Sequence, residues 1–143
     1  MGLNVDVIRE SFALVAPRAD ELTEKFYATL FMRYPEVVPL FEGVDMSMQR
    51  MMLKQALAFV VNNIERPDVL AEKLEELGAR HVGYGTKAEH YPLVGECLLE
   101  ALDNVAGESW SGKTAVAWAE AYALVSQMML AGAAKAEEAK VAS

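Results

Sequence analysis

The chain has 143 residues, of which 53% are apolar, a formal net charge of -8 and a single cysteine. This length predicts one domain over residues 1–143 with a core of its own, and the acidic balance argues against nucleic acid or an anionic membrane surface as a partner. No apolar run reaches the roughly 18 residues of a membrane span, and the start lacks a secretory signal pattern, so we expect no membrane span and a cytoplasmic location. The lone Cys97 is expected to be a small buried hydrophobic residue.

Apolar residues recur with a period near 3.6 along almost the whole chain, which predicts an all-α fold. A first helix ends before Pro17, and a second ends at Pro35, because proline cannot continue a helix. A turn and a loop lead to a third helix, from about residue 47 to residue 63. Pro67 suits the first turn of a fourth helix, which should end near the glycines of the segment GYG at residues 83–85.

Two further helices complete the predicted fold. Pro92 should open the fifth helix, which ends at Gly107, and the last helix should start near Ser111 or Thr114. After Gly132 the tail is rich in alanine and charged residues, and we expect it to fray. No repeat, linker or second domain is apparent.

The two histidines of the chain differ in their position relative to the apolar pattern. His81 continues a helical stripe of leucines and is expected on a buried helix face. The stripe consists of Leu70, Leu74 and Leu77. His90 precedes Tyr91 and Pro92, where extended backbone is favoured, so it is expected at the surface before the helix begins. From this pattern alone, His81 is either a core residue with one hydrogen bond or a ligand.

The catalytic motifs that the chain lacks narrow the choice of function. It contains no GxGxxG, HExxH, CxxC or GxSxG segment, so dinucleotide binding, zinc hydrolysis and serine chemistry have no support. Residues 107–114, GESWSGKT, match the letters of GxxxxGK[ST], but a phosphate-binding loop of this type follows a strand and none is predicted here, so phosphate binding is not expected either. A small all-α chain with one inward histidine leaves a haem site as the most specific hypothesis.

Four segments carry a resemblance to a known family. These are KFYATLFMRYPEVVPLF, VVNNIERPDVL, ARHVGYGTKAEHYPLVGECLL and AWAEAYALV. In this order and spacing they resemble the bacterial single-domain haemoglobins and the globin domain of flavohaemoglobins, over about residues 3–130. The resemblance implies a globin fold around one b-type haem.

The resemblance also implies which residues lie on the proximal side of the haem. The iron ligand in this family is the histidine that follows a basic residue near the end of the sixth helix, which here is His81 after Arg80. Arg80 would lie near a haem propionate, and Tyr91 would approach the proximal imidazole. Val94, on the buried side of the same helix as Tyr91, is a further expected cofactor contact. His90 is not a ligand in the family pattern.

On the distal side the resemblance implies two hydrogen-bond donors to the bound gas, Tyr27 and Gln49. Phe41 would wedge the porphyrin. Gln49 and Leu53 are four residues apart and point the same way from one helix. Without a polar partner, a buried Gln49 amide would cost roughly 1 to 3 kcal/mol. Nearby methionines are expected to fill the core rather than to bind iron. They are Met46, Met48, Met51 and Met52.

One departure from the family bears on function. Flavohaemoglobins place a glutamate eleven residues after the tyrosine of AWAEAYALV, where it hydrogen-bonds the proximal histidine. Counted from Tyr122 that position is Ala133, and Glu137, one turn further, is expected to lie beyond reach. We also expect no attached flavin or nicotinamide reductase domain.

The predicted function is reversible binding or transport of oxygen, with nitric oxide or carbon monoxide as further ligands. A first alternative is a nitric oxide dioxygenase that works with a separate reductase. A second is a gas sensor or a haem-free globin-like module.

Overall fold

The computed structural model describes residues 3–142, with side chains over residues 3–140. This part of the chain contains six α-helices and no strand, which confirms the all-α prediction. The helices are α1 (Val5–Val15), α2 (Ala19–Arg33), α3 (Met46–Asn62), α4 (Pro67–Gly83), α5 (His90–Ala106) and α6 (Gly112–Ala142). No helix within residues 3–142 combines the length and the apolar character needed to cross a membrane.

The helix boundaries follow from capping side chains and prolines. The Asn4 side chain accepts a hydrogen bond from the backbone of α1, and Asp45 accepts two from the first turn of α3. Pro35 ends α2 and opens a 3₁₀ helix, Pro35–Phe41, that leads towards α3. Pro67 lies in the first turn of α4, as predicted.

The main core lies among α1, α2, α5 and the first half of α6, with a contribution from the C-terminal half of α3. Trp118 of α6 donates its indole hydrogen to the Ser11 hydroxyl of α1 at 2.8 Å, and Ser11 donates in turn to the Val7 carbonyl at 2.6 Å. These bonds satisfy polar groups that would be costly to bury alone. Cys97 is fully buried, as predicted.

Helices α4 and α6 cross with their backbones in contact. A Cβ atom added to Gly78 would lie 1.8 Å from the carbonyl oxygen of Met129. A Cβ atom added to Gly132 would lie 1.9 Å from the carbonyl oxygen of Glu75. Only glycine fits at either position, so this glycine crossing, formed by Gly78 and Gly132, sets the distance between α4 and α6.

Helix α6 does not end at Gly132 and continues through Ala142, so the fraying expected for this tail stays a prediction. Gly132 is buried in the crossing with α4 and does not end the helix. Beyond it, Lys135 pairs with Glu75 of α4 at 2.5 Å. Alanine has the highest helix propensity, so this tail favours the helical state once α4 supports it.

The methionines of α3 also differ from the prediction. Met48, Met51 and Met52 are 54%, 43% and 45% exposed, so they do not fill the core, whereas Met46 is partly buried against it. Leu57 and Val61 of α3 enter the main core, and Val60 packs in a second apolar cluster with Leu70 and Leu74 of α4. The N-terminal half of the helix instead borders a cavity, which Gln49, Met52 and Leu53 line.

Candidate functional site

A cavity of about 280 Å³ lies among five of the helices and the 3₁₀ helix, with mostly apolar walls. Such a cavity, with a few converging polar groups, is the usual form of a small-molecule or cofactor site. Seven of the eight site residues predicted from the sequence line it. They are Tyr27, Phe41, Gln49, Leu53, His81, Tyr91 and Val94.

His81 lies in the last turn of α4 and is half-buried. Its Nδ1 atom is 2.6 Å from the carbonyl oxygen of Leu77. Because a carbonyl oxygen can only accept, the Nδ1 atom must carry the proton. In the neutral ring the Nε2 atom then has a free lone pair, which is the state that a metal-binding histidine requires.

The chain leaves α4 through a Schellman motif directly after His81. Gly85 has a φ of 86°, the Gly85 N–H donates to the Val82 carbonyl at 3.1 Å, and the Thr86 N–H donates to the His81 carbonyl at 3.1 Å. This pattern satisfies the last carbonyls of the helix and favours glycine at the position of positive φ. It brings Thr86 beside His81, and Thr86 also lines the cavity.

The prediction that His90 lies at the surface before the helix is wrong. It is the first residue of α5, is half-buried and lines the cavity. Its backbone N–H donates to the Lys87 carbonyl, and its Nδ1 atom accepts from the Lys87 N–H, both at 3.0 Å. These two bonds form a turn that starts the helix earlier, and Pro92 is accommodated because the first turn needs no donor there.

The two histidines are therefore held in opposite tautomers. A backbone N–H can only donate, so the Nδ1 atom of His90 must be unprotonated and the neutral ring carries its proton on Nε2. His81 offers a lone pair at Nε2, whereas His90 offers a hydrogen.

Tyr27 and Gln49 form the second polar group of the cavity. The Gln49 Nε2 atom donates to the Tyr27 hydroxyl oxygen at 3.1 Å. Tyr27 is therefore the polar partner of the amide, which the sequence alone did not identify. The Tyr27 hydroxyl keeps its own hydrogen for another acceptor. Tyr27 is 6% exposed, and this burial raises the pKa of its phenol, against the lowering effects of the Gln49 hydrogen bond and the Arg50 charge.

Aromatic rings hold Tyr27 in place. Its ring packs edge-on against Phe26 at 4.8 Å and Phe41 at 5.8 Å, measured between centroids. Phe41 also packs edge-on against Phe31 at 5.1 Å. Such offset contacts stabilise both rings and leave the phenol little freedom to turn.

Tyr91 presents a buried polar atom without a partner. Its side chain is 7% exposed, and its hydroxyl makes no hydrogen bond within the described part of the chain. Burial raises the pKa of this phenol. Its backbone carbonyl accepts from the Tyr122 hydroxyl at 2.6 Å. Ala133 offers no carboxylate, and Glu137 is exposed.

Arg80 is the one predicted site residue that does not line the cavity. Its guanidinium forms an ion pair with Glu76, one turn earlier on α4, and its side chain is about half exposed. Thr86 and His90 also line the cavity, although the sequence pattern did not indicate Thr86 and placed His90 before the helix. The short spacing between the GYG segment at the end of α4 and Pro92 is the one feature of the sequence that could have placed Thr86 and His90 near His81.

The chain matches known proteins over most of its length. The globin family model matches residues 24–129. A flavohemoprotein of Bacillus cereus is 30% identical over 128 residues, which are 88% of this chain and 31% of that protein. This chain thus spans about a third of the flavohemoproteins that it matches. An uncharacterized globin-like protein of Aquifex aeolicus is 29% identical, and the match covers 88% of each chain.

Two solved structures are similar to this chain over nearly its whole length. A bacterial globin from Campylobacter jejuni has a TM-score of 0.81 at 29% identity and covers 94% of this chain and 96% of its own. An engineered carbene transferase, based on a candidate nitric oxide dioxygenase from Rhodothermus marinus, has a TM-score of 0.86 at 28% identity and covers 97% and 96%. With its all-helical fold, its cavity and these matches, the chain belongs to the globin family.

Proposed function

We propose that this globin binds a b-type haem through His81 and reversibly binds oxygen beside Tyr27 and Gln49. Nitric oxide and carbon monoxide would be further ligands of the same site. The observation that carries the proposal is His81: its Nδ1 hydrogen is bonded to Leu77, and its Nε2 lone pair is left for a metal, on the wall of an apolar cavity. The flavohemoprotein relatives, named as haem and flavin proteins, support it.

The residues present fit a haem. A porphyrin is a flat apolar ring whose iron accepts an axial histidine, and the cavity offers apolar walls with one such histidine. The unpartnered Tyr91 hydroxyl fits as well. An unpaired buried donor costs about 1 to 3 kcal/mol, so a partner inside the cavity would remove this cost.

When bound, the haem would supply an iron that coordinates a diatomic gas. His81 would hold the iron, and Phe41, Leu53 and Val94 would contact the ring. The Tyr27 hydroxyl would donate a hydrogen bond to a ligand that carries partial negative charge, while Gln49 holds the phenol oxygen. The apolar walls would limit the access of water. A role for Arg80 near a propionate stays a prediction.

The optical spectrum of the purified protein, before and after titration with haemin, tests this proposal. We expect a Soret band that shifts when oxygen or carbon monoxide is added to the reduced protein, with the oxygen shift reversed by removing oxygen. A protein that takes up no haemin would contradict the proposal and favour a haem-free module.

A second candidate function is nitric oxide dioxygenase activity with a separate reductase. The flavohemoprotein relatives favour it, because their names join a flavin to a haem protein and this chain covers about a third of their length. Ala133, at the position of the flavohaemoglobin glutamate, weakens it. Nitrate formation over many turnovers, with an added flavin reductase and its nicotinamide, would distinguish an enzyme from an oxygen-binding protein.

A further inference from the structure

We propose that His90 and Thr86 bind the carboxylates of the cofactor, so that they determine how tightly and in which orientation it is held. This inference rests on the proposed haem binding. A haem carries two propionate carboxylates, which are costly to bury unless donors or water surround them. The propionates should therefore lie where the side chains that line the cavity are polar and only half-buried.

The polar side chains of the cavity leave few free donors for a carboxylate. His81 is the proposed metal ligand. Gln49, Trp118 and Tyr122 already donate a hydrogen bond inside the protein. Tyr27 and Tyr91 each keep a free hydroxyl hydrogen, but they are only 6% and 7% exposed, where a carboxylate would be costly to bury. The two that are left are Thr86 and His90, and both are half-buried.

The geometry of His90 makes it a donor. Its Nδ1 atom is occupied by the Lys87 N–H at 3.0 Å, so the neutral ring must carry hydrogen on Nε2 and has no second lone pair for a metal. His90 thus suits an anionic oxygen and not an iron.

Thr86 lines the same cavity as His90, is held by the Schellman motif, and has a hydroxyl that makes no hydrogen bond to the described residues. Its N–H is bonded to the His81 carbonyl, so the loop that would hold the carboxylate is tied to the proposed axial ligand. Arg80, expected from the sequence to lie near a propionate, is instead paired with Glu76 outside the cavity wall.

The experiment compares His90→Gln with His90→Glu. Both side chains can accept the Lys87 N–H, as Gln and Glu do in a capping box, so both should preserve the start of α5. Only Gln offers N–H donors to a carboxylate, whereas Glu repels it. Ala88→Glu is the matched control, because it adds the same charge at an exposed position of the same turn.

Each variant of the full chain is loaded with haem or with haem dimethyl ester, whose carboxylates are neutral. The rate of cofactor transfer to an excess of a scavenging apo-globin is then measured. We expect His90→Glu to speed the loss of haem about tenfold or more, because a hydrogen bond to a charged group is worth at least about tenfold. Thr86→Val should speed it about threefold to tenfold, because the hydrogen bond of a half-exposed neutral hydroxyl is worth less. His90→Gln and Ala88→Glu should stay within about threefold of the native rate. The dimethyl ester should leave all variants at similar rates.

Three outcomes would overturn the inference. One is an unchanged rate of haem loss in His90→Glu. Another is an equal acceleration for haem and its dimethyl ester, which would indicate a purely structural role. The third is a larger effect of Arg80→Gln than of His90→Glu. A native chain that binds neither cofactor would instead contradict the proposed function, so the two failures are distinguishable.

Discussion

Replacing Tyr27 by Phe should release oxygen about ten to a hundred times faster from the haem-loaded protein. The change removes one hydroxyl and keeps the ring that packs against Phe26 and Phe41. Tyr27 is 6% exposed, so water does not readily replace the lost donor. A hydrogen bond to a partly charged acceptor contributes about 1.5 to 3 kcal/mol, and each 1.4 kcal/mol changes a rate constant about tenfold.

Gln49→Leu should also speed the release of oxygen, but less than Tyr27→Phe does. The Tyr27 hydroxyl can still donate to the bound gas after it no longer accepts a hydrogen bond from the Gln49 amide. In the structure Gln49 reaches Tyr27 at 3.1 Å, so its effect passes mainly through the phenol. The double variant should therefore release oxygen within about twofold of Tyr27→Phe alone, as expected for residues in one hydrogen-bond network.

Stopped-flow experiments measure these dissociation rates, for oxygen and for carbon monoxide, from the native protein and from the three variants. Carbon monoxide carries little charge, so its dissociation rate should change by less than about threefold. An unchanged oxygen rate in Tyr27→Phe, or equal changes for both gases, would refute the assignment of Tyr27 as the donor. A larger effect of Gln49→Leu than of Tyr27→Phe would show that the amide contacts the ligand itself.

Three further predictions concern the metal ligand, the helix crossing and pH. His81→Ala should abolish the Soret band of bound haem and external imidazole should restore it, whereas an intact spectrum in this variant would exclude His81 as the ligand. Gly132→Ala should lower the free energy of unfolding in urea by about 1 to 3 kcal/mol, because its methyl group meets the Glu75 carbonyl. Gly112→Ala, in open space on the same helix, should be nearly neutral, and equal effects would contradict the crossing argument. Since burial raises the pKa of Tyr27 above its ordinary value of about 10, the phenol keeps its proton to higher pH, and oxygen release should be constant between about pH 6 and pH 9.

The sequence predicts a helix boundary well where a single residue, such as a proline, starts or ends the helix. Pro35 and Pro67 act within their own turns, so α2 ends and α4 begins as the sequence indicates. The leucine stripe of α4 likewise placed His81 on an inward face, since that face depends on spacing alone.

The remaining features depend on contacts between distant segments or on local hydrogen bonds that simple sequence rules do not include. Gly132 resembles a helix end in the sequence, yet the backbone of Glu75 makes it an interior contact. The exposure of Met52 depends on where α3 borders the cavity, which periodicity does not show. The position of His90 depends on two hydrogen bonds to Lys87, and the rule for a residue near proline does not include them.

The opposite protonation of the two imidazoles has a consequence for how the protein would select its axial ligand. Leu77 and Lys87 decide through their backbone groups which ring nitrogen carries hydrogen, and they do so in the polypeptide itself. The discrimination between His81 and His90 is thus already present before any metal arrives and does not depend on its identity. Porphyrins of zinc or cobalt should consequently be bound through the same nitrogen as an iron porphyrin.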